Sequence, residues 1–192
     1  MRGLGHDSVG RPAECGVWGK LIMKNIILIG FMGAGKTEVG KLLAKKLKMT
    51  YIDTDDIIEK KQGRSINDIF AGDGEESFRD MESAILDGLA NLKDHVVSTG
   101  GGMILRPSNV KKLKDLGPLI LLWANPEVVY ERTKNTKERP LLNVDDPKKK
   151  IKEILDFRTP IYRNVADLEV DTSSLSPEDA CNRIMEYIKG DK

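Results

Sequence analysis

Short unbroken apolar runs alternate along this chain with stretches in which apolar residues recur every three to four positions. Ile26-Ile27-Leu28-Ile29 and Leu119-Ile120-Leu121-Leu122-Trp123 are runs of the first kind, the pattern of strands buried on both faces. Thr50-Tyr51-Ile52-Asp53, His95-Val96-Val97-Ser98 and Leu168-Glu169-Val170-Asp171 predict three more strands. Between the strands, Val39, Leu42, Leu43 and Leu47 lie at helical spacing and predict a helix over 36–47. A second helix is expected over 55–62, and a third begins at Ser65-Ile66-Asn67-Asp68 in capping-box style and ends near Gly72. Phe78, Met81, Ile85, Leu86 and Leu89 mark a longer helix over 75–91. Pro107 opens a helix to Leu116, Asn125-Pro126-Glu127 opens one to about Thr133, and Ser176-Pro177-Glu178-Asp179 caps a last one to about Lys189. Residues 134–150 are polar, contain Pro140 and Pro147, and read as a mobile lid, with helix resuming over 151–157. The alternation predicts an α/β fold, a doubly wound parallel five-stranded sheet flanked by helices.

Composition narrows the partners. The 192 residues suit one domain over 23–192, preceded by a weakly ordered, glycine-rich extension over 1–22. Lys and Arg number 31 against 30 Asp and Glu, a net charge of +1, which supports neither a nucleic-acid partner nor a membrane surface. No apolar run approaches the ~18 residues that span a bilayer. Cys15 and Cys181 lie far apart and suggest no disulfide or metal framework, as suits a reducing cytoplasm. His6, Cys15 and Trp18 have no ligand-like spacing.

Gly30-Phe31-Met32-Gly33-Ala34-Gly35-Lys36-Thr37 changes the picture, because it satisfies G-x-x-x-x-G-K-[ST] between a predicted strand and a predicted helix. Backbone N–H groups of such a loop and the following helix N-terminus surround a polyphosphate. Gly33, Ala34, Gly35, Lys36, Thr37 and Glu38 are therefore candidate nucleotide contacts. Lys36 would reach the terminal phosphates, and the Thr37 hydroxyl would hold Mg²⁺.

Further candidates gather at the carboxyl ends of predicted strands, where ligands bind in open α/β sheets. Asp53 and Asp55 follow the second strand. One could support Mg²⁺ beside Thr37 and the other could take a proton from an acceptor hydroxyl. Asp55 could equally cap the next helix. Gly100-Gly101-Gly102 follows the third strand, and bare backbone there suits close approach to a small ligand, or merely a flexible turn. Arg79 can be oriented by Glu82 three residues on. Arg139-Pro140-Leu141-Leu142 has the character of a lid carrying an arginine onto transferring phosphates. Arg132 flanks the same polar stretch, which could equally be a basic surface loop, and Arg158 would be unremarkable alone.

Together these residues resemble shikimate kinases, in the family's order and spacing over about 24–189: Gly30–Thr37, Asp53-Thr54-Asp55, Phe78-Arg79 with Glu82, the glycine run, Arg139-Pro140-Leu141-Leu142 and Arg158-Thr159-Pro160-Ile161-Tyr162. The resemblance implies a phosphate-loop kinase fold of the nucleoside-monophosphate-kinase type and a monomeric, cytoplasmic enzyme. It implies ATP-dependent phosphorylation of the shikimate 3-hydroxyl, with Mg²⁺, in aromatic amino-acid biosynthesis. It casts Asp55 as base and hydroxyl binder, Lys36 and Arg139 as catalytic cations, Arg79 and Arg158 as the grip on the substrate carboxylate, and Gly100–Gly102, chiefly Gly101, as backbone contacts. Asp53 with Thr37 would support the metal, and Arg132 with the loop near Pro177 would clamp adenine. Two positions depart from the family pattern. Glu38 stands where a second hydroxyl residue is common, and residues 171–177 carry no arginine. A gluconate or nucleoside-monophosphate kinase fits the glycine run and paired arginines less well. A GTP-dependent switch would need an Asp where Asn135-Thr136-Lys137-Glu138 has Glu.

Overall fold

The computed structural model describes residues 25–135, 140–142 and 144–190. Strands β1 (Ile26–Ile29), β2 (Thr50–Asp53), β3 (His95–Ser98), β4 (Leu119–Trp123) and β5 (Leu168–Asp171) form one sheet. Every pairing is parallel, and the order is β2-β3-β1-β4-β5. Strand order reverses at β1, whose neighbours are β3 on one side and β4 on the other. Such a reversal opens a crevice beyond the strands' carboxyl ends.

Alternate residues of each strand feed opposite layers. Ile26 and Leu28 pack with Val39 and Leu43 of α1 (Lys36–Leu47) and with Ala180 and Ile184 of α7 (Pro177–Lys189). Ile27 and Ile29 pack with Ile85 of α3 (Ile66–Leu89), Leu113 of α4 (Pro107–Leu116) and Tyr162 of α6 (Pro147–Val165). That two-sided burial is why β1 is apolar at all four positions, each such side chain contributing roughly 1.5–3 kcal/mol. A third cluster joins Phe31 to Val129 of α5 (Pro126–Thr133) and to Ile151 and Leu155 of α6. Cys181 lies in the α1–α7 layer, where burial pushes its thiol up to about 11 and leaves it unreactive. Among the described residues no helix is long and apolar enough to cross a membrane.

The strand limits agree with the periodicity, and so does the break within α3, where two helical segments meet at Gly74, whose φ of 82° and ψ of 171° are not helical. Three helix boundaries differ. Asp53, rather than Asp55, caps α2 (Thr54–Gln62), accepting from the Asp55 N–H at 3.0 Å. The largest difference concerns the lid. Helix α6 begins at Pro147, capped by the Asp146 carboxylate on the Lys149 N–H, so that residues 147–150 are helix and not loop. Proline at the first helical position loses no bond, so it starts the element that sequence reading took it to interrupt. Helix α6 also continues past Phe157 and through Pro160 to Val165. An interior proline costs about 3 kcal/mol. Burial of Ile151, Leu155, Arg158, Tyr162 and Val165 along one face outweighs it. The extension over 1–22 and Asn135-Thr136-Lys137-Glu138, except Asn135, lie outside the described residues.

Candidate active site

One cavity of about 910 Å³ opens over the carboxyl ends of β1, β2 and β3. That volume suits a nucleotide with a small second ligand. Gly33, Gly35, Lys36, Thr37 and Glu38 line one end of it. Gly33 and Gly35 adopt φ of 75° and 88°, so the loop can turn its N–H groups inward. Gly35 is the N-cap of α1 without a side-chain cap hydrogen bond, which leaves the first amides of α1 to the cavity. The Lys36 ammonium donates to the carbonyls of Gly30 at 2.8 Å and Phe31 at 3.0 Å, placing a cation across the loop's own mouth. Ala34 contributes no side chain to the cavity. Its methyl is buried against α1, and its carbonyl accepts from the Thr172 hydroxyl at 3.0 Å.

Asp53 and Asp55 line the same cavity beside this loop. The Asp53 carboxylate is held on both oxygens. Oδ1 accepts from the Asp55 N–H and Oδ2 from the Tyr51 hydroxyl at 3.0 Å. Burial, with the Asp53 charge adding to it, pushes Tyr51 up to about 12, so its hydroxyl stays a donor. Thr37, Asp53 and Asp55 form an open set with one hydroxyl and two carboxylates. Among the described residues no group of three or more His, Cys, Asp or Glu side chains could cage a metal.

The glycine run is shaped by its neighbours. A Cβ on Gly100 would stand 2.4 Å from Glu82 Oε1 and 2.6 Å from Asp55 Oδ1. One on Gly102 would stand 2.2 Å from the Arg79 guanidinium carbon. Gly101 is different, since its Cβ would meet nothing closer than the Gly30 carbonyl at 3.4 Å. The Gly101 carbonyl accepts from the Tyr162 hydroxyl and, at 3.5 Å, from Arg158. The Gly100 N–H donates to Thr54 Oγ1 at 2.9 Å. The run is thus bare because polar side chains crowd its flanks. Gly102→Ala is expected to displace Arg79 and raise the acceptor KM about tenfold or more, as loss of one charge-assisted bond would. Steady-state kinetics on the variant checks this.

Arg79 and Arg158 are both buried, at 6% exposure each, and both face the cavity. Arg79 donates to Glu82 at 2.7 Å and to Glu75 at 2.6 Å. Glu82 is fully buried, and burial raises its carboxyl although the Arg79 and Arg158 charges oppose the rise. Across the cavity, Arg132 donates to the Gly33 carbonyl at 3.1 Å and the Thr172 carbonyl at 2.8 Å, tying the phosphate loop to the end of β5 beside Pro177. Leu141 reaches the cavity from a 3₁₀ turn over Pro140–Leu142, whereas Arg139 lies outside the described residues.

The site therefore unites the expected residues among those described, and adds some that sequence reading passed over. Tyr51 sits two residues before Asp53 on the same face of β2, a relation visible in the period-two pattern. Tyr162 lies four residues after Arg158 on the buried face of α6. It stands in the Arg158-to-Tyr162 motif, but the motif gave it no role of its own. Thr54 stands within the Asp53-Thr54-Asp55 motif without a role of its own, and Thr172 left no signal in the sequence.

Comparison with known proteins places this geometry. The family model described as shikimate kinase matches residues 32–189. The shikimate kinase of Pelotomaculum thermopropionicum is 49% identical over 167 residues, covering 87% of this chain and 96% of that one. That of Thermodesulfovibrio yellowstonii is 47% identical over 163 residues, covering 85% and 94%. The structure of Acinetobacter baumannii shikimate kinase in complex with shikimate superposes with a TM-score of 0.85 at 39% identity, covering 88% of this chain and 95% of that one. With the phosphate loop, the crevice at β1 and a family match spanning most of its length, this chain belongs to the shikimate kinase family.

Proposed function

We propose that the cavity holds ATP at its Gly33–Glu38 end and shikimate at its Asp55, Arg79 and Arg158 end, in line for transfer of the terminal phosphoryl group. The family's reaction, ATP-dependent phosphorylation of shikimate within aromatic amino-acid biosynthesis, is this chain's reaction. The observation that carries the assignment of roles is the meeting, in one cavity, of a phosphate loop with two buried arginines and a carboxylate. Shikimate offers one carboxylate and several hydroxyls. Guanidinium forks match the carboxylate in a bidentate way, and Asp55 matches a hydroxyl.

In this reading the loop amides and Lys36 bind the phosphates, and Arg79 with Arg158 fixes the ring by its carboxylate. Asp55 accepts a hydrogen bond from the 3-hydroxyl and takes its proton as the oxygen attacks. Gly100–Gly102 lets the ring approach backbone. Arg132 and the segment at Pro177 hold the base, and Arg139, on the lid between α5 and α6, closes on the phosphates. The open set at Thr37 and Asp53 fits Mg²⁺, which keeps waters and substrate phosphates as ligands rather than needing a protein cage. When bound, Mg²⁺ would neutralise charge on the β- and γ-phosphates. Asp53, pinned by Tyr51 and by its capping bond, is already oriented toward that duty. Residues 23–192 act as one kinase domain, monomeric and cytoplasmic, with residues 1–22 outside it.

Purified protein with Mg²⁺ and ATP is expected to release ADP only when shikimate is added. Release with gluconate or a nucleotide, and none with shikimate, would overturn the reading.

A further inference from the structure

Arg79 has two carboxylate partners of opposite character. Glu82 is fully buried and grips NH1, while Glu75 grips NH2 from the rim with 48% of its side chain exposed. Both guanidinium nitrogens lie against Gly102, because a Cβ there would stand 2.2 Å from NH1 and 2.5 Å from NH2. The nitrogen that Glu75 holds therefore borders the glycine run that floors the acceptor end of the cavity. Glu75 also follows the break in α3. Gly74 is non-helical, and a Cβ added to it would meet nothing within 4 Å, so nothing packs over the chain just before Glu75. The next turn is anchored, since Arg106 bonds Asp80 at 2.7 Å and Glu76 as well. Glu75 is thus the one movable carboxylate on Arg79. A released Glu75 would sit in the first turn of the segment after the break, where the helix dipole stabilises a negative charge.

We infer that Glu75 is a resident counter-ion which the acceptor's carboxylate must displace from Arg79, so that Glu75 sets acceptor affinity for the reaction assigned above. This rests on Arg79 holding the acceptor carboxylate. Glu82 keeps the guanidinium in place throughout, and Glu75 competes for its second nitrogen. Screened, half-exposed pairs of this kind contribute modestly, so the competition is worth about two- to fivefold in affinity.

The test measures shikimate KM, shikimate dissociation constant without nucleotide, and the shikimate-induced rise in Tm for Glu75→Gln, Arg79→Ala and the double variant. Glu75→Gln is expected to lower KM and the dissociation constant about two- to fivefold, to enlarge the ligand-induced rise in Tm, and to leave the KM for ATP unchanged. In the Arg79→Ala background the same substitution should change nothing, since no fork remains to compete for. An unchanged or raised KM in Glu75→Gln, with KM raised in Arg79→Ala, overturns the competitor role alone. An equal gain in both backgrounds also overturns it, because Glu75 would then act only through its general field. An unchanged KM in Arg79→Ala overturns the assignment of the carboxylate grip itself.

Discussion

Asp55→Asn should lower kcat by about 100-fold or more while ATP binds as before, the loss expected when a positioned base is removed. The substitution keeps shape and volume, and it leaves the backbone N–H of residue 55 free to satisfy the Asp53 cap, so α2 should start as it does now. An amide cannot accept the proton of the attacking hydroxyl. It also presents a donor to an oxygen that needs an acceptor. ATP is assigned to the other end of the cavity, at Gly33–Glu38. Single-turnover kinetics beside a nucleotide titration separates the two effects. A loose, dissociative transition state asks little of a base, so a kcat within a few-fold of the parent would show that Asp55 only orients the hydroxyl.

Arg79→Ala is expected to raise the shikimate KM by about 30-fold or more, the worth of one or two charge-assisted hydrogen bonds. It should also lower stability, because Glu82 would remain fully buried without its 2.7 Å partner. Breaking a buried pair by removing one member costs roughly 3–5 kcal/mol. Affinity and stability can be parted with Arg79→Met combined with Glu82→Gln, which removes both charges at similar volume. That pair should recover Tm and leave KM high. A KM restored along with Tm would mean that Arg79 serves the fold and not the acceptor.

The central strands β1 and β4 were legible because each is an apolar run, and a strand buried on both faces admits little else, whereas the edge strands β2 and β5 keep polar residues. The phosphate loop was legible because its glycines, lysine and threonine must stand at fixed spacing. Helix α6 was read short at both ends, because Pro147 and Pro160 look like breakers when judged locally. Burial of its Ile151-to-Val165 face, a tertiary effect, decides the matter. Tyr162, although quoted in the motif after Arg158, was given no role of its own. Asp53 and Asp55 could not be told apart by spacing. Only the bonds from Tyr51 and from the Asp55 N–H distinguish the pinned carboxylate from the one set beside Gly100. The bareness of Gly100 and Gly102 likewise depends on Glu82 and Arg79, which approach from 18 and 23 residues upstream in sequence.

Strands β3 and β1 are adjacent, and the Gly101 α-carbon substituent would reach the Gly30 carbonyl at 3.4 Å. Donor and acceptor loops therefore share a wall, with no partition between the two halves of the cavity. A single inhibitor joining a nucleotide mimic to a cyclic carboxylic acid would need only a short tether. A stiff tether of the right span converts the second contact into an intramolecular one, at an effective concentration in the millimolar range or above. The same shared wall constrains resistance: a substitution on it that expels one half of such a compound would crowd the natural substrate of the other half.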